Sequence, residues 1–211
     1  MYAINKNWEP VSLDNADESC IAVALICDEY RFMIEKNEYN NSVYNELIGF
    51  RWGPSTNIGA IVNHSTADGE NSSITLDKTV SYDFTTWSNG ALSEFNAEGI
   101  NNSAALIEKT TEITNISGVL NAFNLTTDGQ NQNKSDWYIP ACGQLTMIYL
   151  NMDEINRVLT KINGKTLDSA GYWSSSEYDM LFAWNVDFTN GHVSTNKSKG
   201  VKLQLRFVRD I

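Results

Sequence analysis

The chain has 211 residues, 42% hydrophobic and 11% aromatic, with a formal net charge of -11. Such length and composition fit one well-cored globular domain and exclude a disordered chain. The acid excess excludes a nucleic-acid surface, which needs cations to neutralise phosphate, disfavours an anionic membrane, and raises solubility.

Residues 1–16 are polar, with Trp8 and Pro10, and read as an arm ahead of a single domain over 17–211. They lack the basic and apolar regions of a signal peptide, and no run approaches the ~20 residues of a membrane helix. The chain is therefore expected either to leave a cytoplasm by another route, as a virion part does, or to have lost a leader. Residues 21–27 form an apolar strand, 28–30 a turn and 31–34 a returning strand, which together predict an early hairpin. From 39 to 87, glycines and serines punctuate short apolar runs, and loops with short strands are expected. The three cysteines, Cys20, Cys27 and Cys142, are odd in number and lack metal-ligand spacing, so buried free thiols are expected.

Asn101-Asn102-Ser103 offers N-caps for a short helix over 104–107, and a second helix is expected over 113–123. The polar loop 128–133 is no calcium loop, because its glycine stands second where an EF-hand needs it sixth. Trp137-Tyr138-Ile139-Pro140 is a short strand stopped by proline, and a helix follows over 141–150. Asn151 with Glu154 reads as a capping box for the next helix. Met152, Ile155, Val158, Leu159 and Ile162 share one face of that helix, and Asn163-Gly164 closes it. Four strands come last, at 171–175, 182–188, 192–195 and 201–208, with Asn190-Gly191 as a hairpin turn. The order of strands, helices and strands predicts α+β.

In Trp184-Asn185-Val186-Asp187-Phe188 the large apolar residues fall on every second position. A half-buried strand has that period, with its apolar face inward and its polar face in water. Asn185, Asp187, His192 and Ser194 are thus expected to point outward. The loop Tyr178-Asp179-Met180-Leu181-Phe182 carries four large apolar or aromatic residues and reads as a contact surface. The expected ligand-binding set is Tyr178, Asp179, Met180, Leu181, Asn185, Asp187, Thr189, Asn190, His192, Ser194 and Asn196.

The run 136–145, Asp-Trp-Tyr-Ile-Pro-Ala-Cys-Gly-Gln-Leu, resembles the WYLPS-x-x-EL segment of bacterial and phage domains with the C-type lectin fold. The resemblance continues through Ile155-Asn156, Tyr172-Trp173-Ser174-Ser175-Ser176-Glu177, Ala183-Trp184, Asn190-Gly191, Lys197 and Val208-Arg209. These domains are relatives of phage tropism determinants and of the variable proteins of diversity-generating retroelements. The resemblance implies paired N- and C-terminal strands, helices packed on mixed or antiparallel sheets, and a C-terminal sheet that presents side chains to a partner. Asparagine is enriched along the whole chain rather than in the last strands, so the resemblance is carried over to the kind of face and not to its diversification.

Calcium-dependent lectins need a proline-containing loop between carboxylate or amide ligands, and Pro10, Pro54 and Pro140 supply none. Formylglycine-generating enzymes share the fold but need reactive cysteines near the C-terminus, where this chain has none. A Ser-His-Asp hydrolase would draw on His64 or His192, but Ser174-Ser175-Ser176 lies in a strand and not at a strand-to-helix elbow. Asp153 and Glu154 belong to a helix start, where negative charge suits the dipole. The expectation is a non-enzymatic binding module without cofactor or metal, an adhesin or phage receptor-binding protein. It would act extracellularly or on a virion surface, on a cell-surface glycan or protein. The rival is an assembly or decoration protein whose same face meets other virion or appendage subunits.

Overall fold

Ala22, Val23, Ala24 and Leu25 are all buried, which a strand achieves only when both of its faces are covered. The computed structural model describes residues 1–27, 30–37, 49–56, 73–80, 98–109, 115–127 and 136–211. In chain order its elements are β1 (Tyr2–Ile4), β2 (Pro10–Val11), β3 (Ala22–Cys27), β4 (Tyr30–Glu35), β5 (Phe50–Arg51), β6 (Ser73–Thr75), α1 (Glu98–Lys109), α2 (Ile116–Thr127), β7 (Trp137–Tyr138), α3 (Cys142–Leu150), α4 (Met152–Lys161), β8 (Gly171–Glu177), β9 (Phe182–Asp187), β10 (His192–Ser198), β11 (Lys202–Leu203) and β12 (Val208–Asp210). The class is α+β, as expected. One sheet has the order β2-β1-β3-β4-β12-β7, a second β6-β10-β9-β8, and β11 pairs with β5; the pairings between these strands are antiparallel.

The alternation along β3 and β4 feeds two cores. Val23, Leu25, Phe32 and Ile34 enter one built on α3 and α4, whereas Ala22, Ala24 and Met33 enter another built on α1 and α2. The four-stranded sheet is shared in the same way. Tyr172, Trp184, Val186 and Val193 belong to the first core, and Trp173 and Ala183 to the second. Trp52, Trp173 and Trp184 are among the largest fully buried side chains, and burying a large apolar side chain contributes about 1.5–3 kcal/mol.

The early hairpin has the expected form, pairing from Ala22↔Glu35 to Cys27↔Tyr30. Residues 1–16 are not an arm. β1 pairs with both β2 and β3, and Ala3 and Ile4 are buried, because the apolar residues of this short stretch suffice to extend the sheet. The terminal strands do not pair either: β3 and β4 stand between β1 and β12, since the hairpin buried on both faces takes the middle of the sheet. The strand expected over 201–208 is two strands in two sheets, β11 and β12, with Leu205, Arg206 and Phe207 buried between them.

Helix α1 starts at Glu98, earlier than expected, so Asn102 and Ser103 lie buried inside it rather than capping it. Ser103 Oγ accepts a hydrogen bond from Ile139 N at 2.9 Å. At Gly99 a Cβ would sit 2.8 Å from Ala141 N, so the helix reaches the 138–141 segment only with glycine there. Asn151 makes no capping box. Its Nδ2 donates to Met147 O at 3.0 Å, and Glu154 pairs with Arg157, because a single residue joins α3 to α4. Asn163, with φ 56°, closes α4 as expected, and Gly164 N donates to Leu159 O at 2.8 Å. The turn at 28–29, most of 39–87 with His64, and the loop 128–133 lie outside the described residues.

Candidate functional site

The period of two in β9 sorts its residues onto opposite faces, and Trp184 and Val186 are buried in the first core as expected. Asn185 stands opposite Trp173 and Ser194, and Asp187 opposite Gly171 and His192, so the four polar residues do share a face. That face is not open to water along its length. Asn185 is 2% exposed and Ser194 1%. Residues 50–52 cover β8 on this side: Trp173 Nε1 donates to Phe50 O and Trp52 Nε1 to Ser174 O, each at 2.8 Å. Asn185 satisfies its amide internally, Nδ2 donating to Ser194 O at 2.8 Å. Asn185 and Ser194 are therefore corrected from ligand-facing to structural residues. Alternation says which residues share a face, and remote segments decide whether the face is covered.

The remaining expected residues gather at opposite ends of β9 and β10, which pair from His192↔Asp187 to Ser198↔Phe182. A strand of that length separates its ends by about 17 Å. At the turn, Asp187 Oδ1 accepts from Thr189 N and Asn190 Oδ1 from His192 N, each at 2.9 Å. Both side chains thus shape the loop, leaving Thr189 exposed and His192 half-buried, its Nδ1 3.2 Å from Thr75 Oγ1.

At the other end, Asp179 Oδ1 accepts from Leu181 N and from Phe182 N, both at 2.7 Å. Tyr178 folds back edge-on to Trp184, with ring centroids 5.9 Å apart. Met180 and Leu181 are left 54% and 45% exposed. Asn196 is exposed at the β-bulge of β10, its Oδ1 accepting from Ser194 Oγ at 2.9 Å.

At the base of this loop lies an ion pair that reading the sequence missed. Lys199 Nζ meets Glu177 Oε1 at 2.5 Å, with the two side chains 0% and 5% exposed. The ammonium also donates to Thr56 O at 2.8 Å and sits 4.7 Å from the Trp52 ring centroid. Burial lowers the lysine pKa, and the Glu177 hydrogen bond and charge oppose that. Lys199 N donates to Leu181 O at 2.8 Å, tying the loop to the pair. The available signal was a carboxylate closing the otherwise uncharged run 171–176.

The three serines sit where β8 bulges, four residue steps from Trp173 to Glu177 facing two from Asn185 to Ala183. Ser174 Oγ donates to Trp184 O at 2.8 Å, Ser176 Oγ accepts from Cys142 N at 3.0 Å, and Ser175 N donates to Pro140 O at 2.9 Å. Ser174 thus satisfies a β9 carbonyl at the bulge, while Ser175 and Ser176 bind the segment that leads into α3. Cys20 and Cys142 are free and buried, and burial pushes the Cys142 thiol well above its usual range, so it stays protonated. The Cys27 side chain lies outside the described residues. Among the described residues no group of three or more His, Cys, Asp or Glu could hold a metal, and no helix is long and apolar enough to cross a membrane.

These features define an α+β domain of antiparallel sheets, with four α-helices among its described residues. No protein-family model matches the chain, and no curated protein matches it. In structure it is similar to a fimbrial protein from Bacteroides ovatus, known from a crystal structure, with a TM-score of 0.61 and 18% identity over 100% of this chain and 48% of that one. The likeness is one of fold, and the chain spans about half the length of that protein.

Proposed function

We propose that the chain is a non-enzymatic binding module of a surface appendage, of C-type-lectin-like fold, carried by a bacterium or a phage. It meets a cell-surface glycan or protein through the 178–181 loop and the adjoining Asn196. The observation that carries this reading is the exposed Met180-Leu181 pair on a turn that Asp179 braces with two hydrogen bonds. Apolar side chains on a braced turn lose little freedom on contact. The fold likeness to a fimbrial protein supports the appendage setting, and the motifs over 136–145 and 172–184 support the lectin-like fold. An extracellular or virion-surface location follows from that setting.

A second reading, contact with another appendage subunit, is favoured by the apolar character of the same pair. Both readings are tested with Met180→Asp/Leu181→Asp. Labelled wild-type protein is expected to bind intact cells or a glycan and protein array, and the variant to lose that binding about tenfold or more, a change of about 1.4 kcal/mol. Equal binding by the folded variant sinks the proposal. Wild-type self-association in sedimentation that the variant abolishes decides for subunit contact.

A further inference from the structure

Beside the N-terminal turn lies a pocket of about 460 Å³, far in sequence from the 178–181 loop and sharing no residue with it. Its aromatic walls are Trp8, Phe123 and Trp137, and Lys6, Lys36, Asn37 and the Glu35 carboxylate line it as well. That volume falls within the ~300–1,000 Å³ of small-molecule sites. Trp137 is 4% exposed. Phe123 stands edge-on to it, with ring centroids 5.9 Å apart and planes at 88°, and Trp8 lies 6.4 Å away, tilted by 50°.

Trp8 is the informative residue. Its φ of 65° is left-handed, a region costly for a tryptophan and free for glycine, yet the residue stands 39% exposed. Several contacts hold it there. Asn5 O accepts from Trp8 N at 3.0 Å, Asn5 Oδ1 accepts from Asn7 N at 2.9 Å and from Glu9 N at 3.0 Å, and the Arg209 guanidinium lies 3.9 Å from the ring centroid. Arg209 is itself held by Asp136 at 2.6 Å. Backbone strain that presents a braced, exposed aromatic ring beside a pocket points to a ligand.

The pocket's chemistry narrows the class. Aromatic walls suit the apolar C–H face of a sugar ring, and the Lys6 ammonium and Asn37 amide suit its hydroxyls. A wholly apolar ligand would strip water from those polar groups without replacing it. A nucleotide's phosphates would need the lysine charges to themselves, whereas Lys6 and Lys36 share this pocket with the Glu35 carboxylate. We propose that this pocket binds a saccharide ring, packed against the exposed Trp8 with its hydroxyls toward Lys6 and Asn37. The site goes beyond the 178–181 contact proposed above.

The test is titration of the whole chain with glucose, galactose, N-acetylglucosamine and glucuronic acid, followed by tryptophan fluorescence and calorimetry. Saturable binding of at least one sugar in the millimolar range or tighter is expected. Trp8→Gly, which suits the backbone at that position, should weaken it about tenfold or more, and Lys6→Ala a few-fold, with melting temperatures confirming that both fold. Met180→Asp/Leu181→Asp should leave sugar binding unchanged, which separates this site from the loop. Binding by none of the four sugars, binding that neither pocket variant weakens, or binding lost through the loop variant overturns the proposal.

Discussion

Lys199 and Glu177 meet at 2.5 Å with the lysine side chain fully buried and the glutamate 5% exposed. Burial drags the lysine pKa down and the carboxylate pulls it back, so the charge is tolerated because its partner is there. Glu177→Gln is expected to cost about 3–5 kcal/mol in denaturant unfolding, and Lys199→Met a similar amount. The double replacement Lys199→Met/Glu177→Leu should recover much of that loss. Single variants each costing under about 1 kcal/mol would show that the pair does not hold the loop's base.

Asn185 donates to Ser194 O from a buried position, so its role is internal. Asn185→Ala removes that buried hydrogen bond and is expected to destabilise the fold by roughly 1–3 kcal/mol, read by thermal melting. Cell or glycan binding of the folded fraction should be unchanged. Binding lost at unaltered stability would restore Asn185 to the contact surface.

Tyr138 supplies a pH dependence. Its hydroxyl donates to Asp210 Oδ1 at 2.5 Å and accepts from Gln144 Nε2 at 2.8 Å. Burial first, then the Asp210 hydrogen bond and charge, raise the phenol above its ordinary 10.0. Below pH 10.0 both folded and unfolded states keep the proton, and this contribution to stability is complete. At higher pH the unfolded phenol ionises first, so the folded state binds more protons and stability falls. Urea midpoints measured on either side of that pH should drop more for wild type than for Tyr138→Phe. Parallel curves would refute the assignment.

Gly191 takes φ 74° at the turn between β9 and β10, and a Cβ there would sit 2.7 Å from the Tyr149 hydroxyl and 2.8 Å from Leu76 O. Gly191→Ala combines backbone strain with a clash and should destabilise by about 1–3 kcal/mol. That corresponds to a melting shift of roughly 2–4 °C per kcal/mol for a chain this long. Thr189→Ala, at an exposed position in the same loop, should stay within about 0.5 kcal/mol of wild type.

The elements were legible where a local pattern sufficed. The hairpin of β3 and β4 followed from two apolar runs around a polar turn, and α4 from the spacing of Met152, Ile155, Val158 and Leu159, all buried. The caps were less legible. Asn102 and Ser103 have N-cap chemistry but lie inside α1, because the helix continues back to Glu98 and packs against the 138–141 segment. Of the candidate contact residues, Met180 and Leu181 stand exposed, whereas Asn185 and Ser194 are covered by neighbours that period-two alternation does not register. The Trp8 pocket has no local signature in the sequence, because its aromatic residues come from positions 8, 123 and 137, which only folding brings together.

The amino-acid order by itself determined the α+β class, the inward direction of Trp184 and Val186, and the shared face of Asn185, Asp187, His192 and Ser194, since each depends on residues a few positions apart. Tertiary structure alone decided that β3 and β4 separate the chain ends, that residues 50–52 cover the second face of β8, and that Lys199 reaches Glu177 and Thr56, which are 22 and 143 residues away. Periodicity is a property of neighbouring backbone angles, whereas covering a face or pairing a charge requires a partner whose position the fold sets.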